Sequence, residues 1–119
     1  MSELRIHPLA EAELGAAARF YEAQLAGLGE AFLVEVSRCF DRARKSPDLG
    51  APCYGRFRRL LVRRFPYAVV YEVLPDAVLI VAVAHQRRKP GYWRRRYWPS
   101  QRVLHHPAAS DRSRSKPVS

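Results

Sequence analysis

Between Pro8 and Leu28 the apolar positions Leu14, Ala17, Ala18, Tyr21, Leu25 and Leu28 recur three or four residues apart, while Glu11, Arg19, Glu22 and Gln24 fall mainly on the other side. That spacing puts one apolar stripe along a helix. Pro8 suits the first helical position, and Glu11 and Glu13 place negative charge in the early turns, where the backbone dipole favours it. Gly27-Leu28-Gly29 ends the helix, and a second one is predicted from Glu30 to Lys45 with Phe32, Leu33, Val36, Cys39, Phe40 and Ala43 along one side. So short a link makes the pair an antiparallel hairpin.

On either side of the hairpin the period changes to two. Leu4 and Ile6 alternate with Arg5 and His7 in a short strand that Pro8 stops. Ser46 to Pro52 reads as a loop from its two prolines and a glycine. Strands are then expected over Arg56–Val62, Arg64–Val73 and Ala77–His85, with Leu74-Pro75-Asp76 as the last turn, which makes an antiparallel meander. The unbroken apolar run Ala77 to Ala84 predicts burial on both faces. Phe65, Tyr67, Val69, Tyr71 and Val73 share one side of their strand, and Phe65, Val69 and Val73 are expected in the core. Cations on both sides of Arg56–Val62 mark it as an edge strand. The hairpin is the only amphipathic cover available for the sheet. The predicted fold is therefore α+β and two-layered, in the order β-α-α-β-β-β, with a helix hairpin packed on an antiparallel sheet. One domain over residues 1–98 is followed by a basic tail, 99–119, whose final Ser-, Pro- and Arg-rich part cannot repay its ordering entropy and is expected to be mobile.

Charge sharpens this picture. The formal net charge is +10 over 119 residues, yet residues 1–50 sum to −2 and residues 51–119 to +12. One basic face or tail follows, and with it a nucleic acid, an anionic surface or an acidic protein as partner. The length leaves room for one core, which excludes multidomain enzymes. No apolar run reaches the roughly 18–20 residues of a membrane span, and the first residues lack a signal-peptide layout, so the cytoplasm is the expected compartment. Cys39 and Cys53 read as free thiols.

The chemistry-bearing residues gather late in the chain. Arg56, Arg58, Arg59, Arg63 and Arg64 serve either to deter sheets from joining at an edge or to bind an anion. Tyr67 and Tyr71 are either core aromatics or hydroxyls at a groove, where tyrosines beside arginines would suit a single-stranded nucleic acid. His85 ends the buried strand as a proton-transfer group or as a backbone-bonded cap. Arg87 and Arg88 follow it, then Tyr92 and Trp93 beyond Lys89-Pro90-Gly91. No Ser/His/Asp set, nucleophile elbow, phosphate loop or spaced carboxylate pair is present, and neither a metal nor a cofactor is expected. Any catalysis would rest on arginine, histidine and tyrosine stabilising phosphoryl chemistry without metal.

Pro8-Leu9-Ala10-Glu11-Ala12-Glu13-Leu14, Phe20-Tyr21-Glu22, Gly27-Leu28-Gly29-Glu30-Ala31-Phe32, Arg64-Phe65-Pro66-Tyr67-Ala68-Val69-Val70-Tyr71 and Val83-Ala84-His85-Gln86-Arg87-Arg88 together resemble the RelE/ParE superfamily of toxins from type II toxin–antitoxin modules, over about residues 3–96. The resemblance implies a growth-inhibiting, plasmid-stabilising toxin held inactive in a hetero-oligomer with its cognate antitoxin. RelE-like members cleave mRNA in the ribosomal A site without metal, which on this chain implies Arg64, Arg87 and Tyr92, with His85 as a proton carrier. ParE-like members are associated with poisoning of DNA gyrase, and no catalytic set is then expected. Arginines and Phe57 stand where the nuclease pattern is lysine-rich, and Tyr92 lies beyond a Pro-Gly turn, which tilts the reading to the ParE-like side. On either branch Arg58, Arg59, Arg63, Tyr67, Arg88 and Trp93 are the expected contacts to target or antitoxin. The rival of another class is a non-toxic, basic nucleic-acid-binding module.

Overall fold

His7 and Pro8 set the first boundary of the computed structural model, which describes residues 3–97. Trp98 and the basic tail, residues 99–119, lie outside the described residues. The His7 Nδ1 accepts the Leu9 N–H at 3.1 Å, and helix α1 runs Pro8–Gln24 with proline at its start. Helix α2, Leu28–Lys45, begins two residues before the expected Glu30. The Glu22 carboxylate accounts for this: it accepts the N–H groups of Gly27 at 2.9 Å and Gly29 at 3.0 Å, so the turn needs no residues of its own for capping. Gly27 sits at φ 88°, a left-handed backbone that glycine adopts without steric cost. At Gly29 a Cβ would lie 2.5 Å from the Ala18 carbonyl oxygen, so glycine sets how closely the helices approach.

The sheet has five strands, β1 (Glu3–Ile6), β2 (Ala51–Cys53), β3 (Phe57–Leu61), β4 (Tyr67–Val73) and β5 (Ala77–His85), in the order β1-β5-β4-β3-β2. Three expectations are corrected. First, β1 pairs parallel with β5, Glu3 opposite Ala77, so the sheet is mixed rather than antiparallel. Second, β2 forms where a loop was expected and pairs with β3, which is therefore not the edge. Pro52 is tolerated because the edge strand's outer side needs no donor. Third, β4 starts at Tyr67 rather than Arg64: the Val62 N–H reaches the Tyr67 carbonyl at 2.9 Å and Arg64 adopts φ 71°, closing a tight turn over residues 63–66.

A bulge shapes β5. Val70 faces Ala82 and Tyr71 faces Ile80, leaving Val81 as the extra residue. Ile80 and Val83 consequently both join the core beneath the helices, with Phe32, Val36, Cys39, Val69 and Tyr71. The buried Tyr71 hydroxyl donates to the Pro47 carbonyl at 2.8 Å and accepts from the Gly50 N–H at 2.9 Å, fixing the approach to β2. A second core lies on the opposite face, built from Phe57, Val70, Leu79, Val81, Ala82, Ala84 and Trp93. The chain after β5 thus folds back across the sheet, and this is how Ala77–Ala84 is buried on both faces although the helices cover only one. Two side chains leave the expected core: Val73, at the end of β4 beside the turn, is 45 % exposed, and Leu25, in extended backbone after α1, is 65 % exposed. Leu33 on α2 is also exposed.

Candidate functional site

Strand β1 stops opposite Ile80, so among the described residues Val81 to His85 of β5 have no strand neighbour on that side. Two side chains complete it. The Arg96 guanidinium donates to the Val81 carbonyl at 2.8 Å, and the Glu13 carboxylate accepts the Val83 N–H at 3.0 Å. Arg96 and Glu13 also grip each other at 3.1 and 3.0 Å, and the Tyr92 hydroxyl donates to the same carboxylate at 2.8 Å. Helix α1, strand β5 and the returning segment are joined at one partly buried carboxylate. Charge-assisted bonds of this kind are the stronger class of protein hydrogen bond.

The bulge at Val81 also decides where His85 goes. In an unbroken strand His85 would share a face with Val81 and oppose Ile80; with the extra residue it shares the helix side with Val83. There its ring packs edge-on against Tyr67, with centroids 5.1 Å apart. A cleft of about 350 Å³ opens at this point, lined by Glu13, Ala16, Phe20, Tyr67, His85 and Arg88, with Ala17 and Val83 at its base. Phe20 is 57 % exposed at its rim. Backbone bonds hold the chain past the cleft: the Arg87 N–H donates to His85 Nδ1 at 3.0 Å, the Arg88 N–H to the His85 carbonyl at 2.9 Å, and the Gln86 N–H to the Pro66 carbonyl at 2.8 Å. The His85 imidazole is thereby also a cap of the turn.

Burial pushes the Tyr67 phenol above the ordinary tyrosine range, and the nearby Tyr21 and Glu13 add to the effect. Tyr92 is pushed far above that range, by burial first and then by its hydrogen bond to Glu13 and the negative charge there. Both phenols stay neutral at physiological pH. The cleft therefore offers aromatic walls, the Arg88 cation, the Glu13 carboxylate and the neutral Tyr67 hydroxyl, a set suited to holding a flat or apolar group that carries polar edges. Among the described residues no group of three or more His, Cys, Asp or Glu side chains converges to hold a metal.

Tyr67, His85 and Arg88 are brought together here. The Arg88 guanidinium stacks 4.1 Å over the Tyr92 ring, and Tyr92 stands behind it with its hydroxyl engaged by Glu13. Arg63, Arg64 and Arg87 are exposed at the same end of the sheet but do not line the cleft. Arg59 is exposed on β3, whereas Arg58 is half-buried and donates to the Gly50 carbonyl at 2.7 Å and the Asp48 carbonyl at 3.3 Å, holding the loop before β2. Trp93 is only 5 % exposed, a plug of the second core; an indole so placed presents no surface to a target or an antitoxin. Glu13, Phe20 and Arg96 were not foreseen. The signal for Glu13 was its place between Ala10 and Ala17 on the buried side of α1, where a carboxylate demands partners.

The fold has counterparts. A solved structure described as the chromosomal ParDE TA system from P. aeruginosa superimposes with a TM-score of 0.64 at 17 % identity, covering 71 % of this chain and 96 % of that one. The sequence model described as ParE toxin of type II toxin-antitoxin system, parDE, matches residues 4–90. This chain belongs to the ParE toxin family, the toxin side of type II toxin–antitoxin systems. No curated protein sequence matches it. Among the described residues no helix is long and apolar enough to cross a membrane.

Proposed function

We propose that the protein arrests growth in the cytoplasm by blocking DNA gyrase, and with it replication, through recognition at the sheet end formed by His85, Arg87, Arg88, Tyr67 and Arg64, and that its cognate antitoxin masks this activity. The observation that carries this reading over mRNA cleavage is the state of Tyr92. A nuclease of the RelE type would need that aromatic free beside the substrate, but its hydroxyl is 2.8 Å from the Glu13 carboxylate and its proton is held far more tightly than usual. A group so engaged is a poor proton donor at neutral pH. The neighbouring cleft, with Arg88 and Glu13 set among aromatic walls, supports binding rather than bond cleavage.

The test is induction of the full chain alone and together with the small open reading frame beside its gene. Growth arrest relieved by that neighbour, with gyrase-trapped DNA breaks and intact mRNA, is the expected result. The Tyr92→Phe variant should still arrest growth, since the phenol takes no part. Transcript cuts at codon boundaries that vanish in Arg87→Ala or Tyr92→Phe would overturn the gyrase reading in favour of the ribosome-dependent endoribonuclease.

A further inference from the structure

The side of the sheet turned away from the helices carries a second aromatic and cationic surface, centred on the turn between β2 and β3. Tyr54 adopts φ 49° there. A bulky side chain rarely takes that left-handed backbone, which persists only where surrounding contacts hold it. The contacts are present. The Tyr54 ring meets the Trp93 ring edge-on with centroids 6.0 Å apart, and the Arg94 guanidinium lies 5.3 Å from the Tyr54 centroid. Gly91 lies so near the same ring that a Cβ on it would stand 3.3 Å from Tyr54 Cζ. Even so, Tyr54 stays 47 % exposed.

Arg56, two residues on, is held between two rings, 4.2 Å from the Phe57 centroid and 4.4 Å from that of Tyr97. It also pairs with Glu72 at 3.2 Å and donates to the Arg94 carbonyl at 3.3 Å, which ties the β2–β3 turn to the returning segment. Tyr97 remains 43 % exposed. Arg59 follows Phe57 by two residues on β3, so it shares this side of the sheet, and it is exposed. Between Ala51 and Tyr71, and again between Gln86 and Tyr97, the chain contains no Asp or Glu. The carboxylate nearest in sequence, Glu72, is the one that Arg56 takes.

Two half-exposed tyrosines, each backed by an arginine and set in acid-free chain, fit a ligand that has flat faces and repeated negative charge. An unpaired nucleotide strand has both: its bases stack on aromatic rings and its phosphates sit on guanidinium groups. A duplex hides the faces of its bases, and an acidic peptide brings no flat groups for the rings.

We infer that this helix-free face binds single-stranded nucleic acid, with bases stacked on Tyr54 and Tyr97 and phosphates on Arg59 and Arg94. The surface shares no residue with the sheet end around His85, so the inference stands whether or not gyrase is the target.

The experiment uses the full chain and a labelled oligodeoxythymidine of about ten nucleotides, followed by fluorescence anisotropy over a range of salt concentrations. An abasic strand and a duplex of the same length, and polyglutamate, serve as comparisons. The wild type should bind the thymidine strand about tenfold or more tighter than the abasic one. Tyr54→Ala/Tyr97→Ala should weaken thymidine binding roughly thirtyfold or more, down to the abasic level, and leave abasic binding as it was. Tyr54→Phe/Tyr97→Phe keeps both rings and should bind as the wild type does, which separates lost stacking from lost folding. Arg59→Gln should lower the slope of log affinity against log salt by about 0.7, the share of one phosphate contact on a single strand. Equal affinity for the thymidine and abasic strands, or binding unchanged by loss of both rings, means that charge alone holds the strand and overturns the inference. Tighter binding of the duplex or of polyglutamate than of the thymidine strand overturns it too. So does a loss of binding in Arg88→Ala but not in the tyrosine pair, which moves the strand to the His85 cleft.

Discussion

Replacing Arg96 by Met removes one side of the junction that holds the returning segment to α1 and β5. The change deletes two charge-assisted bonds to Glu13, at 3.1 and 3.0 Å, and the 2.8 Å bond to the Val81 carbonyl. Breaking a fully buried ion pair from one side costs about 3–5 kcal/mol. Here the two side chains keep 13 % and 17 % of their exposure, and Glu13 retains the Tyr92 hydroxyl and the Val83 N–H, so about 2–3 kcal/mol is expected. For a domain of this size that lowers Tm by roughly 10–20 °C. Urea denaturation read by fluorescence, which also follows Trp93, measures it. The decisive comparison is a cycle with Glu13→Gln: once the carboxylate is neutral, Arg96→Met should cost only about 1 kcal/mol, a coupling of about 1–2 kcal/mol. A loss below about 1 kcal/mol in the wild-type background, or the same loss in both backgrounds, would refute the argument that this pair ties the segment down.

Three further outcomes follow from the same geometry. Tyr71→Phe leaves the buried Gly50 N–H and the half-buried Pro47 carbonyl without their partner, and should lower the unfolding free energy by about 1–3 kcal/mol in a urea titration. Gly29→Ala drives a methyl against the Ala18 carbonyl and Glu22, and should cost about 1–3 kcal/mol by forcing the helices apart, measured as a fall in Tm. Because the Tyr92 proton is bound more tightly in the folded than in the unfolded chain, that stabilisation is complete below the ordinary tyrosine pKa of 10.0 and is lost as pH rises through the higher folded value. Alkaline unfolding should accordingly be shallower in Tyr92→Phe, and ultraviolet titration of the wild type should show one phenol ionising last, a step the variant lacks.

The helices and the strands from β3 onward were legible because each keeps one period over many residues and is bounded by proline or glycine. Gly27 to Gly29 marked the hairpin, and the eight apolar residues of β5 announced burial on both faces. What escaped was set by contacts between distant parts of the chain. The three residues of β2 carry no alternation, and their pairing with β3 depends on Tyr71 anchoring the preceding loop. The parallel pairing of β1 with β5 leaves no local trace, since parallel partners need no turn between them. The bulge at Val81 hides within a uniformly apolar run, where slipping the register changes no residue type. That bulge decides the side on which His85 lies, so the cleft was only half legible. Tyr67, His85 and Arg88 were visible, but not Phe20 at the rim, the carboxylate of Glu13, or the burial of Trp93.

Strand β5 lies between β1, from the start of the chain, and β4, yet among the described residues it is the last strand to be made. Until it is synthesised, β1 has no partner and neither core can close, because Ile80 and Val83 belong to one and Leu79 and Val81 to the other. The joining of such distant segments is slow and comes late in folding. A chain that stops before β5 therefore leaves β1 without its partner and both cores open.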